Sequence, residues 1–216
     1  MAYAVVASYR GNPSFVGRNL QEIAQIIKFR KQNAGKDVEL LGTGAPALPE
    51  VTMADQYRAV IEIVLGGGAQ GVFHSMAEDD VANILRHPLV SVASDSGVRE
   101  FGVAQPHPRG YGTNARVLGH YSRELGVIPL EEAVRKMTSL PATAFRFTDR
   151  GLVREGYNAD LAVFDPTTVI DKATFEKPHA YAVGFVHVIV NGEPVIKGGE
   201  MTGALTGKPI YGPGKQ

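Results

Sequence analysis

Apolar residues fall into two rhythms along this chain. Residues 3–8 (YAVVAS) form a short apolar, β-branched run that predicts a buried strand. Arg10-Gly11-Asn12-Pro13 breaks it, and Asn19 then caps a predicted helix with Leu20, Ile23, Ile26 and Ile27 on one side. A Gly/Pro-rich loop spans residues 42–49. Thr52 precedes a second helix, with Met53, Tyr57, Val60, Ile61 and Val64 at helical spacing, which ends at Gly66-Gly67-Gly68. Residues 71–74 read as a short strand, 78–86 as a helix, and 89–94 (LVSVAS) as another buried strand. This strand–helix–strand alternation predicts a parallel α/β architecture.

The texture changes after Asp95, where a Gly/Pro loop is expected through Gly112. Helices are predicted at 115–125 and 130–138, the second opened by Pro129 and ended by Pro141. From Gly156 onward the signals are β: residues 160–165 (DLAVFD), then 186–190 (VHVIV). Asn191-Gly192 is a hairpin turn signal, with Val195-Ile196 on the returning strand. The last dozen residues read as an extended tail. The predicted organisation is an α/β half, a helical connection and a small β-rich end.

Composition narrows the class. The 216 residues carry 22 Lys and Arg against 22 Asp and Glu, so no polyanion or anionic membrane is expected as partner. Cysteine is absent, which excludes disulfide scaffolds, thiolate zinc sites and cysteine nucleophiles together. No apolar run reaches the roughly 18–20 residues of a membrane span. The N-terminus lacks the basic and apolar regions of a secretory signal, so a cytoplasmic protein is expected. A complete (β/α)8 barrel takes about 250 residues, more than this chain provides.

Gly66-x-Gly68-x-x-Gly71 matches the dinucleotide fingerprint in form, but that motif needs a strand before it and a helix after it. Here the order is reversed, which favours an ordinary helix-terminating loop. Ser94-Asp95-Ser96-Gly97 lacks the first glycine of a nucleophile elbow. The six histidines (His74, His87, His107, His120, His179 and His187) form neither a His-x-His pair nor a His-Glu-x-x-His helix. His74 ends a predicted strand, where barrel enzymes place working groups; a structural role fits it equally well. Asp95 ends LVSVAS in the position where parallel α/β folds present catalytic carboxylates, although a turn-forming Asp fits the same residues. In His107-Pro108-Arg109-Gly110-Tyr111-Gly112, a guanidinium in a stiff loop suits bidentate capture of a carboxylate.

Four stretches carry a family resemblance. The first is Asp95 with His107-Pro108-Arg109-x-x-Gly112-Thr113 and Arg116-Val117-Leu118-Gly119. The second is residues 131–142 (EEAVRKMTSLPA). The third is Arg150-Gly151-Leu152-Val153 with residues 155–161 (EGYNADL) and Phe164-Asp165-Pro166. The fourth is Val188-Ile189-Val190-Asn191-Gly192 with residues 203–207 (GALTG). Together they resemble the C-terminal part of the D-aminoacylase (N-acyl-D-amino-acid deacylase) family of the amidohydrolase superfamily. The match is densest over residues 76–207, and the His-Pro-Arg loop and the Met-Thr-Ser-Leu-Pro run are its specific elements.

The resemblance implies an α/β fold: the C-terminal part of a TIM-like barrel over residues 1–150, then the C-terminal strands of a small β-sandwich over 151–216. It implies zinc as cofactor, with ligands that lie outside this chain. Asp95 would be the catalytic aspartate that takes a proton from metal-activated water and passes it to the leaving nitrogen. Arg109 would hold the substrate's α-carboxylate, Met76 would line the side-chain pocket, and His107 would contact substrate. The implied reaction is hydrolysis of the amide of an N-acyl-D-amino acid, with the isolated chain expected to be inactive. A non-catalytic fragment, a subunit completing a split amidohydrolase, and a related enzyme acting on another linear or cyclic amide are the alternatives. Expected partners are the small-molecule substrate and an N-terminal half chain or a second copy, with no nucleic acid and no membrane.

Overall fold

The computed structural model describes residues 3–33, 47–98, 100–212 and 214. The chain divides into two compact units, Met1–Ser75 with Glu100–His107, and Met76–Arg99 with Pro108–Gln216. These units follow packing within this chain. The expected boundary near residue 150 refers instead to a family architecture. Among the described residues no helix is long and apolar enough to cross a membrane.

The first unit opens with β1 (Ala4–Ser8), followed by a single 3₁₀ turn at Pro13–Phe15 that Asn12 caps. Helix α1 (Leu20–Gln32) starts at a capping box: Asn19 accepts from the amides of Gln21 and Glu22, and Glu22 reaches back to the Asn19 amide. Helix α2 (Met53–Leu65) starts the same way with Thr52 and Asp55. Ile23, Ala24, Ile26 and Ile27 of α1 are buried against Val6, Tyr9, Phe15, Ala59 and Ile63, so the periodicity read for α1 marks its core face. On α2, by contrast, the stripe of Met53, Tyr57, Ile61 and Val64 is exposed, and Gln56, Ala59 and Ile63 are buried instead. Gly67 and Gly68 have φ of 103° and 77°, and the Gly68 amide bonds to Ile63 O. The glycine triplet therefore terminates α2, as expected. The 34–46 part of the chain, including most of the predicted Gly/Pro loop, lies outside the described residues.

Strand β2 (Gln70–Phe73) pairs with β1 antiparallel, Val5 opposite Val72. This corrects the parallel pairing expected for the segment. A parallel βαβ unit returns the chain through one helix. Here two helices lie between the strands, and the chain re-enters with the opposite sense.

The second unit begins with α3 (Glu78–Arg86). Residues 89–94 do not form the predicted strand: they lack regular structure, and Leu89 is 78% exposed. A strand exists only where a neighbour takes up its backbone hydrogen bonds, and among the described residues no strand of this unit pairs with LVSVAS. Helix α4 (Arg109–Arg116) begins inside the expected loop. Pro108 holds φ −58°, already helical, and its carbonyl accepts from Tyr111 and Gly112. The helix runs on into a π-helical stretch, Val117–Glu124. A Cβ on Gly119 would fall 2.4 Å from the Val169 carbonyl, so glycine there permits the close seating of this stretch on the chain at 169–170.

Helix α5 (Leu130–Met137) follows Pro129, as predicted. Pro141 does not end helical structure, because α6 (Ser139–Ala144) contains it at its third position. In a first helical turn the missing proline N–H removes no intrahelical bond. The second core gathers Leu85, Ala115, Val117, Leu118, Tyr121, Ile128, Ala133 and Val169. The β-rich end forms a four-stranded antiparallel meander: β3 (Leu161–Phe164), β4 (Phe185–Val190), β5 (Glu193–Lys197) and β6 (Glu200–Met201). Asn191 and Gly192, with φ of 52° and 85°, make the predicted β4–β5 turn.

Two carboxylates make the fold acid-sensitive. Hydrogen bonds from the Thr52 amide and hydroxyl hold Asp55 down to about 2, and the Arg135 guanidinium does the same for Glu132. Both folded values lie below the ordinary carboxylate range of about 4. Their stabilisation is therefore present above that range and is lost as pH falls from about 4 through about 2. Denaturant midpoints at stepped pH are expected to drop across that window, and Asp55→Asn should flatten the slope. A midpoint that does not change between pH 5 and pH 2 would contradict this.

Candidate functional site

Asp95 lies three residues beyond Val92, whose amide donates to Lys136 O. Its φ is +47°, a left-handed conformation that Asp tolerates better than most residues. The turn reading of Asp95 and the chemical reading meet here, because the turn aims the carboxylate outward. Asp95 Oδ2 is 2.9 Å from Arg109 Nη2. The two residues that the sequence singled out first are thus brought into direct contact. Their side chains are 84% and 43% exposed, so the pair lies on a surface rather than in a cavity.

The neighbourhood explains the local sequence. Arg109 is the first residue of α4, held by the proline before it. A Cβ on Gly110 would sit 2.7 Å from Ser96 Oγ, so Gly110 leaves room for the residue that follows Asp95. Tyr111, on the next position, is 2.9 Å from His179 Nδ1 through its hydroxyl and packs edge-on against Tyr181. At the far end of α4, Arg116 faces Asp171 at 3.4 Å and Glu78 at 3.9 Å. The Tyr121 hydroxyl donates to Glu78 at 2.9 Å. Burial, and then the Glu78 carboxylate, push the Tyr121 phenol up. This network ties α4 to α3 and to the chain at 171. Sequence reasoning missed it, since Glu78, Arg116 and Asp171 are far apart along the chain and each is an ordinary surface type.

The other predicted site residues divide between the two units. Met76 is in the same unit as the pair and 73% exposed. His107 belongs to the first unit and is half-buried. His74 also belongs to the first unit, is exposed, and donates its amide to Tyr3 O. A cleft in the second unit, between residues 146–150 and 207–211, contains the Arg150–Asp160 ion pair at 2.6 Å and none of the predicted site residues.

Among the described residues, no group of three or more His, Cys, Asp or Glu side chains could hold a metal ion. The donors present therefore do not fit a resident zinc. His87 is exposed, His120 pairs with Glu124 at 3.0 Å, and His187 accepts from the Gly198 amide. None of these contacts belongs to a group of three metal-type donors among the described residues.

A sequence profile described as the amidohydrolase family matches residues 34–196, which include both members of the Asp95–Arg109 pair. The chain belongs to the amidohydrolase family, a family of enzymes with a TIM-barrel-like fold. Within it the homology is to D-aminoacylase and the N-acyl-D-amino-acid deacylases. It is 46% identical over 142 residues to a D-aminoacylase of Alcaligenes xylosoxydans xylosoxydans, covering 66% of this chain and 29% of that protein. It is 38% identical over 180 residues to an N-acyl-D-aspartate deacylase of the same organism, covering 80% and 35% respectively. The chain therefore spans about a third of the length of the relatives it matches. Among solved structures, a D-aminoacylase superposes with a TM-score of 0.72 at 38% identity, over 93% of this chain and 36% of that one. An N-acyl-D-glutamate deacylase of Bordetella bronchiseptica, solved with zinc and a phosphonate inhibitor, gives 0.69 at 32% identity, over 90% and 35%.

Proposed function

We propose that this chain is the C-terminal portion of an N-acyl-D-amino-acid deacylase and supplies two residues of its site. The observation that carries the reading is the Asp95–Arg109 contact at 2.9 Å within the span matched by the amidohydrolase profile. Residues 1–150 would then contribute to a barrel and 151–216 to the small β-rich domain, in a cytoplasmic enzyme. Zinc would be held by residues outside this chain.

Each side chain has a task its chemistry suits. The Asp95 carboxylate accepts a proton from the water whose oxygen attacks the amide carbonyl carbon, and returns it to the nitrogen as the C–N bond breaks. Arg109 presents a planar guanidinium, which pairs with a carboxylate through two parallel N–H donors. The substrate's carboxylate meets the group that already holds Asp95 Oδ2, so recognition and proton transfer share one contact. The relatives named for D-aspartate and D-glutamate act on substrates that carry such a carboxylate. Met76 and His107 would complete the pocket once the missing walls are present. The isolated chain is then inactive.

The test is complementation. The chain is mixed with the remaining part of a family member's chain, zinc, and an N-acyl-D-amino acid, and release of the free amino acid is followed. Turnover by the mixture and by neither part alone supports the reading. No turnover from a mixture that forms a stable complex would overturn it, in favour of a non-catalytic fragment. In the active mixture, Arg109→Lys is expected to raise KM more than it lowers kcat, because lysine loses the bidentate fork. An unchanged KM for carboxylated substrates would remove Arg109 from substrate binding.

A further inference from the structure

Lys136 is completely buried, unlike the other lysines among the described residues, and the reading above gives it no task. It lies in the last turn of α5, with its ammonium turned to the backbone of the segment that leads to Asp95. Its Nζ donates to the carbonyl of His87 and, at 3.0 Å, to that of Val90. Its own carbonyl accepts from the Val92 amide at 3.0 Å. One residue earlier, Arg135 Nη2 donates to Pro88 O at 2.6 Å. Glu132 joins the two cations, 3.4 Å from Lys136 Nζ and 2.6 Å from Arg135 Nε.

These bonds occupy backbone groups that a neighbouring strand would otherwise take. A buried ammonium must have acceptors, and one with three donors can serve two carbonyls and a carboxylate at once. We propose that Lys136, supported by Arg135 and Glu132, is a positioning residue that substitutes for a strand neighbour along 87–92 and so sets where Asp95 stands. Asp95 is then anchored from both sides, through the 87–92 segment before it and through Arg109 after it. The clamp itself does not depend on the deacylase reading; only the catalytic value of placing Asp95 rests on it.

The test compares Lys136→Met with the unsubstituted chain by amide hydrogen exchange and by the guanidinium NMR signal of Arg109. Methionine fills the space and leaves the backbone carbonyl at 136 in place, so the Val92 acceptor survives the substitution. Loss of a charge-assisted hydrogen bond is expected to speed exchange at Val90 and Val92 by about 10–100-fold. Amides of the β4–β5 ladder should not change, and the Arg109 signal should move to the position it takes in Asp95→Asn. Unchanged protection at Val92, or equal acceleration in the β4–β5 ladder, would overturn the proposal. If Lys136→Met does not fold, Arg135→Ala decides: faster exchange confined to 87–92 supports the clamp, and no change there overturns it. In the complemented enzyme Lys136→Met should lower kcat with KM held. An inactive mixture together with a lost Val92 protection would reject the deacylase reading and keep the clamp.

Discussion

Asp95→Asn in the complemented enzyme is expected to cut kcat by about 10²–10⁴-fold, the range that a positioned acid–base group contributes, with KM little changed. The amide has nearly the shape of the carboxylate and can still face Arg109, so substrate binding is retained. It cannot accept a proton at neutral pH, so the leaving nitrogen departs without one. Steady-state kinetics with an N-acyl-D-amino acid separate the two quantities. A near-normal kcat would return Asp95 to a turn residue whose left-handed φ of 47° serves the backbone alone. Arg109→Lys acts on the other side of the same contact and affects chiefly KM, so the two substitutions divide the labour of the pair.

Ile23→Ala should be the most damaging simple truncation in the first unit. Ile23 is fully buried on α1 and sits among Val6, Phe15, Ala59 and Ile63. Removing its outer carbons loses their transfer free energy and leaves a cavity, which together cost about 2–5 kcal/mol. The helix itself is not threatened, since the Asn19–Glu22 capping box stands and alanine favours helix. The loss is therefore one of packing, read as a lower denaturant midpoint with an unchanged slope. Ile23→Val should cost only about 0.5–1.5 kcal/mol. Equal effects from the two would show that the site can collapse around the missing atoms.

On the deacylase reading, what this chain contributes is compact in sequence: one carboxylate, one guanidinium fourteen positions later, and the helix start that holds the second.

Local chemistry made several elements legible from the sequence alone. Asn19 with Glu22 and Thr52 with Asp55 mark where α1 and α2 begin, because a capping box is closed by residues three apart. Asn191-Gly192 marks the β4–β5 turn, because both residues accept positive φ. Asp95 and Arg109 stand out in the sequence as residue types suited to acid–base work and carboxylate capture, and their direct contact is seen only in the fold. Tertiary structure alone decided the rest. LVSVAS has the composition of a buried strand, but strand formation depends on a neighbour that no property of those six residues reveals. β1 and β2 pair antiparallel because two helices lie between them, and strand composition carries no sign of direction. Lys136 stands in the sequence as an ordinary basic residue in the last turn of a helix. Only the folded chain turns its ammonium inward, onto carbonyls nearly fifty positions away, because a buried ammonium needs acceptors and the 87–90 backbone supplies them.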